Sequence, residues 1–458
     1  MAKINTKSYR APVLTHEGGR ATRSSTEKQL ERSVMSCLLW EDSFYESGEN
    51  IAQRISKLVK QNSPEFVSQL AIKAREDMKL RHVPLLLARE MARNPEQRAL
   101  VGDTLARIIQ RPDELTEFLA IYWKDDANQP LAAQVKKGLA RAFQKFDEFQ
   151  LARYNRDSDI KLRDVLFLTH AKPVDVTGRG RKLEAVKSKT YNRGEVKRHA
   201  KSVFTKLVND ELAVPDTWET ELSAGKDKKA TFERLINEGK LGALALLRNL
   251  RGMTEAKVDR KLIVKALDTM KTERVLPFRF ISAARYAPQF EPQLEKAMFK
   301  CLEGAEKLSG KTVLLIDVSG SMSDPVSAKS ELRRIDAAAA LAILLREISE
   351  DIEIYTFNDN AQIVPARRGF ALRDAIGNPR GGTRLGNSLS QVKYGADADR
   401  LIVITDEQSA DTVNTPKAKH GYMLNVASYQ NGVGYGNWNR IDGWSDSIVN
   451  YIVQLEKE

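Results

Sequence analysis

Cysteine is almost missing from this sequence: Cys37 and Cys301 are the only two in 458 residues. A disulfide framework is thereby excluded, and both lie in helix-like apolar patterns, so buried thiols in a reducing cytoplasm are expected. Long apolar runs are also missing. None reaches the roughly 18 residues of a membrane span, so no membrane partner is expected. The first ten residues are polar and basic and have no apolar stretch of the kind a secretory signal carries. Strand-like patterning is absent before residue 311. A nucleophile and base at credible spacing are absent throughout, so a non-enzymatic role is expected.

What is abundant is positive charge, and it is unevenly placed. The whole chain carries +12, yet residues 301–458 hold 17 Lys+Arg against 21 Asp+Glu, leaving +16 on the remainder. Such a split suggests that the first part meets a polyanion and the last part does something else.

The chain is too long for one core, and its patterning changes once. Residues 1–23 read as a flexible arm. From Ser24-Ser25-Thr26-Glu27, which has capping-box spacing, helical segments follow one another with short polar links up to residue 305. Ser63-Pro64 is an N-cap followed by proline at the first helical position, and Pro84 and Pro112 sit near further helix starts. Short links favour antiparallel helix pairs stacked as a HEAT-like solenoid. From residue 306 to 458 strands alternate with helices: strands at 312–316, 352–357, 401–405 and 422–428, helices at 335–348 and 445–454. That alternation means a parallel, doubly wound α/β domain.

The sharpest motif is Asp317-Val318-Ser319-Gly320-Ser321, immediately after an apolar strand. In an open parallel sheet ligands bind beyond the carboxyl ends of the strands. Thr383 follows two glycines on a loop before a helix, and Asp406 directly follows the strand at 401–405. Asp317, Ser319, Ser321, Thr383 and Asp406 offer two carboxylates and three hydroxyls, a hard-oxygen set that suits Mg²⁺. In order and context the set resembles the metal-ion-dependent adhesion site of von Willebrand factor A domains, which implies an open coordination position for a partner's carboxylate. The loop after the strand at 422–428 carries Tyr429, Tyr435 and Trp438. Two readings are open for them: a protein-docking surface exposed beside the metal, or Trp438 folded back onto the last helix, as Trp444 is expected to be.

In the helical part, Leu244-Ala245-Leu246-Leu247-Arg248-Asn249-Leu250 resembles the ALLRNL signature of the Ro autoantigen (TROVE) family. Leu276-Pro277-Phe278-Arg279 resembles its HPF segment, with Leu276 where histidine is usual. His170-Ala171-Lys172-Pro173 resembles a third segment. The resemblance covers most of residues 24–458, is weakest near 174–235, and points to a bacterial relative of Ro. It implies a HEAT-like helical ring followed by an A domain. It also implies binding of Y-like noncoding RNA and of single-stranded 3′ ends, in RNA quality control or as adaptor to a 3′ exoribonuclease. Lys136, Lys137, Arg153 and His170 align with RNA-contacting positions of the family.

The residues themselves allow this. Leu131, Val135, Leu139 and Phe143 make one helix face; Lys137, Arg141 and Lys145 recur every four residues on another, a ridge for phosphates. Residues 179–201 form a second basic cluster, including Arg181, Lys182, Lys197 and Arg198, with Tyr191 as a stacking face; it is expected to serve structured RNA. Two other readings stand beside this one. A metal-dependent hydrolase needs more carboxylates than Asp317 and Asp406 offer, with Glu407 the only further acid beside them. A metal-dependent protein-interaction module leaves the basic helical part unexplained.

Overall fold

In the computed structural model, the described residues are 13–14, 18–23, 25–35, 48–78, 80–172, 203–272, 277–303, 306–326, 332–427 and 433–442, with 275, 448, 452 and 456 singly. The chain divides into two compact units. One comprises residues 1–54 and 242–458, the other residues 55–241. The helical region read as one stretch over 24–305 is therefore shared between them.

The 55–241 unit is helical. It contains α3 (Pro64–Glu76), α4 (His82–Arg93), α5 (Val101–Ile108), α6 (Asp113–Trp123), α7 (Ala133–Phe143), α8 (Glu148–Tyr154) and α9 (Leu162–Thr169). After these come α10 (Val203–Val208), α11 (Trp218–Ser223) and α12 (Lys228–Asn237). The sequence signals work locally. Ser63 is extended at ψ 149° and its side chain accepts from Phe66 N, with Pro64 opening α3. Asp147 and Gln150 make a reciprocal capping box at α8. Alternate helices stack, α3 on α5, α5 on α7 and α7 on α9, while α4 packs on α6. This is the HEAT-like arrangement expected. The α5–α7 contact is close because two glycines face each other. A Cβ on Gly138 would lie 2.9 Å from the Gly102 carbonyl oxygen and 2.8 Å from Leu105 Cβ.

The other unit is α/β with added helices. It opens with β1 (Val13–Leu14), β2 (Arg20–Arg23) and α1 (Thr26–Met35). Residues 20–23, read as part of an arm, instead pair with β8 (Val433–Gly434), Thr22 opposite Gly434. Ser25 Oγ accepts from Lys28 N at 3.2 Å and so caps α1; Ser24 lies outside the described residues. Four helices precede the sheet: α13 (Ala243–Glu255), α14 (Arg260–Thr269), α15 (Pro277–Tyr286) and α16 (Glu291–Leu302). The sheet's strands are β3 (Leu308–Asp317), β4 (Ser349–Phe357), β5 (Ala361–Ile363), β6 (Arg400–Thr405), β7 (His420–Asn425) and β9 (Asn439–Asp442), in spatial order β5-β4-β3-β6-β7-β9. All neighbours are parallel except the edge strand β5. The four long strands fall where periodicity puts them; β5 and β9 are additional.

Helix α17 (Arg334–Ile348) shows why the layers form. It is buried almost from end to end, and the Ala337–Ala340 run presents only methyl groups to its neighbours. It packs against β3, α15 and α18 (Gly369–Ile376). A helix apolar all round has no solvent face and must lie inside. Helix α19 (Leu385–Gln391) sits with the apolar cluster on the other side, beside Leu315, Val403 and Met423. Most of the helix expected over 445–454 lies outside the described residues, although Ile448 and Ile452 are buried.

Candidate metal centre and nucleic-acid interface

Adjacent parallel strands bring the two acids together. Ile316 is in register with Ile404, so Asp317 at the end of β3 and Asp406 just past β6 emerge at the same carboxyl edge. Both are fully buried, as is Ser319. The Asp317 carboxylate accepts from Ser319 N at 2.8 Å and from Thr405 Oγ1 at 2.6 Å. Ser319 Oγ and Ser321 Oγ lie 3.3 Å apart. The glycine loop is laced to both strand ends: Gly320 N donates to Gly381 O at 3.1 Å, and Ala410 N donates to Thr383 O at 2.8 Å. Gly381, at φ +77°, supplies a left-handed turn that a side chain would strain. The structure thus gathers all five sequence-derived residues at one edge.

Burial first, and then the charge of Asp406, push the Asp317 carboxyl up to about 7. Two buried carboxylates side by side, flanked by hydroxyls, fit a divalent cation, and the all-oxygen set fits a hard one. Among the described residues no group of three or more His, Cys, Asp or Glu gathers as a metal cluster.

Three arginines that the sequence did not single out complete the electrostatics. Arg334, the first residue of α17, places Nη1 3.3 Å from Asp406 Oδ2 and 3.3 Å from Ser321 O. Arg32 of α1 reaches Glu407 at 2.6 Å, and Arg440 of β9 reaches its other oxygen at 3.2 Å. Asn425 Nδ2 adds a 2.9 Å hydrogen bond to Glu407. The available signal was a charge opening an otherwise apolar helix, as at Arg334.

Of the two readings of the loop at 429–438, the exposed docking surface is the one the structure contradicts. Tyr435 and Trp438 are buried in the apolar cluster that contains Val403 and Met423. The Tyr435 hydroxyl donates to Glu407 O at 2.8 Å and accepts from Ser409 N at 3.0 Å. Trp438 Nε1 donates to Asn414 O at 3.0 Å. Each polar tip finds a backbone partner, which lets the ring go inside. Tyr429 and Trp444 lie outside the described residues.

On the helical unit the basic ridge of α7 divides into three roles. Val135, Leu139 and Phe143 are buried as expected, and Lys137 faces solvent with Lys136 half-buried beside it. Among the described residues Lys137 has no ion-pair partner, whereas Arg141 pairs with Asp103 of α5. Lys145 is not a phosphate residue of the same kind. Its ammonium donates to Ala106 O at 2.6 Å and to Ile109 O, closing the carboxyl end of α5. Desolvation there lowers its pKa.

Arg153, at the end of α8, pairs with Glu219 at 2.7 Å and lies 5.6 Å from the Tyr154 ring. His170 ends α9 in a left-handed conformation, φ 52°, and is exposed. Gln144 Nε2 donates to Lys172 O at 3.0 Å, which draws the segment after His170 to the end of α7. Phe149 of α8 and Phe167 of α9 are exposed, unlike most aromatics among the described residues. Arg181, Lys182, Lys197 and Arg198, with the whole 179–201 cluster, lie outside the described residues.

The chain is 24% identical over 298 residues to telomerase protein component 1 of Rattus norvegicus, a match covering 50% of this chain and 11% of that protein. It is 36% identical over 89 residues to the Mus musculus protein of the same name, covering 18% of this chain and 3% of that one. The chain therefore spans a small fraction of those relatives. Among solved structures it is similar to the Ro (RSR) protein of Deinococcus radiodurans, with a TM-score of 0.59 and 17% identity over 93% of this chain and 98% of that chain. That likeness shows the fold, packed helices together with an α/β part built on a six-stranded sheet. The family model for the TROVE domain matches residues 5–211 and 209–338, well over half the sequence, and the chain belongs to the TROVE domain family.

Proposed function

We propose that this protein binds noncoding RNA, taking single-stranded 3′ ends on the face formed by α7, α8 and α9, without cleaving it. The observation that carries this reading is that exposed cations and bare rings follow one another along these helices. Lys137 faces solvent, and Arg141, Arg153 and His170 lie on the same succession of helices with exposed Phe149 and Phe167. Cations neutralise phosphates and rings stack on bases, the two needs of a single strand. Y-like structured RNA is assigned to residues 179–201. In the cell the protein acts in the cytoplasm in RNA quality control, as adaptor to a 3′ exoribonuclease.

In the A-type domain, Asp317, Ser319, Ser321, Thr383 and Asp406 would hold Mg²⁺. When bound, the ion supplies an open position for a partner's carboxylate. The hydrolase reading is disfavoured by Glu407: two arginines and an amide occupy its carboxylate, so it is not free to act as a base.

The test is binding of a duplex with a 3′ single-stranded tail, measured by fluorescence anisotropy across a salt series. Lys137→Glu is expected to weaken binding and to lower the salt slope by about one unit, the loss of one phosphate contact. If the variant binds as tightly as wild type with the same slope, the α7 face is not the RNA site.

A further inference from the structure

We propose that Arg334 is a built-in competitor of the divalent metal: its guanidinium neutralises Asp406 when the ion is absent and must leave when it binds. The inference rests on the metal assignment made above.

The geometry is specific. Arg334 has a side chain only 3% exposed, against a fully buried Asp406. Nη1 stands 3.3 Å from Asp406 Oδ2 and 3.3 Å from the carbonyl oxygen of Ser321, whose hydroxyl is itself a candidate ligand. Asp324 Oδ2 is a further 3.8 Å contact, and the Arg334 backbone N–H donates to Asp324 O at 2.9 Å. The guanidinium thus sits on the acid and the serine that the metal needs. The other two arginines nearby do not compete, because Arg32 and Arg440 are both spent on Glu407.

The charge balance gives the consequence. In the metal-free edge the buried Asp406 carboxylate is offset by the Arg334 guanidinium beside it. A divalent ion entering with Arg334 in place would meet an uncompensated like charge at close range in a medium of low dielectric. Arg334 therefore weakens metal binding and preserves the metal-free fold. Asp324 offers the guanidinium an alternative partner as it departs, 30% exposed and within reach without unwinding α17.

The test is isothermal titration of the full chain with MgCl₂ after chelation, for wild type, Arg334→Met and Arg334→Lys. Arg334→Met is expected to bind Mg²⁺ about tenfold more tightly, the effect of removing one nearby positive charge, while melting earlier than wild type in chelator. Arg334→Lys, which keeps the charge, is expected to bind like wild type. An Arg334→Met protein with wild-type affinity overturns the proposal and leaves the metal site standing. No Mg²⁺ binding by either protein overturns both. Should Arg334→Met fail to fold, phenylglyoxal labelling of wild type decides. Mg²⁺ is expected to raise the labelling of Arg334 severalfold as the guanidinium leaves Asp406, and unchanged or reduced labelling overturns the proposal.

Discussion

The carboxyl edge of the sheet and the α7–α9 face are both polar, yet they are built on opposite plans. At the sheet edge Asp317, Ser319, Asp406 and Glu407 are all but fully buried, and Asp406 and Glu407 are each answered by arginine within a few ångströms. On the helical face the charges stand in water, and only some of them are answered. A buried charge without a partner is too costly to keep, so the first site is preorganised by necessity. An exposed charge costs little either way, so the second is loose, and its members can serve the fold or a ligand with equal ease.

The strongest way to break the comparison is to leave one buried charge unanswered. Arg32→Met removes the 2.6 Å partner of Glu407 and keeps Arg440 at 3.2 Å. Loss of one partner of a buried pair costs about 3 kcal/mol. Urea denaturation is expected to show that loss in the unit containing the sheet. The same experiment on Arg153→Met, whose partner Glu219 is 36% exposed, is expected to show a change well under that. Equal losses would mean that burial does not divide the two regions.

The same division explains what the sequence could and could not disclose. Asp317, Ser319 and Ser321 are five residues long as a motif and sit at the end of a strand whose apolar run announces itself. Nothing remote is needed to place them. Asp406 is legible for the same reason, being the residue at which an apolar strand stops. Arg141 and Lys145 are not legible as to role. Their partners Asp103, Ala106 and Ile109 are 36 to 39 residues away in sequence and meet them only because Gly102 and Gly138 let α5 and α7 approach. Tyr435 and Trp438 left two readings open because a glycine-rich, aromatic stretch looks like an exposed loop. The stretch crosses a parallel sheet whose second face also needs covering, and the rings cover it. β5 and β9 are three and four residues long, too short for alternation to register. β2 pairs only with two-residue strands, β1 close by and β8 more than four hundred residues ahead, and no local pattern can report the second.

A smaller effect sharpens the exposed side by pH. Lys206 holds the Glu148 carboxyl below its ordinary range, through a hydrogen bond of 2.7 Å that ties α8 to α10. The folded value lies below the unfolded one. The contribution to stability is therefore present above the ordinary carboxylate range and is lost as pH falls through it. For a pair this exposed it is on the order of 0.5 kcal/mol. Lys206→Met is expected to destabilise by that amount at pH 7 and by nothing once both proteins have taken up the proton. A difference that persists unchanged at pH 2.5 would make the role of Lys206 one of packing rather than charge.

The smallest effect concerns the choice an exposed charge can make. Arg141 has two claimants, Asp103 of its own chain and the phosphate of a bound strand. Asp103 is 71% exposed in its side chain, so water already weakens its hold. Asp103→Asn removes the claim while keeping size and shape. The guanidinium then faces a strand without first giving up a carboxylate, and the local field becomes more positive by one unit. Tailed-duplex affinity is expected to rise about twofold to threefold at low salt, with the gain fading as salt screens the added charge. At the buried edge the matching experiment has the opposite sign in stability, because an unanswered guanidinium there has no water to turn to. If Asp103→Asn leaves affinity unchanged at every salt concentration, Arg141 belongs to the fold alone, and Lys137 is the only ridge position of α7 left to serve the RNA.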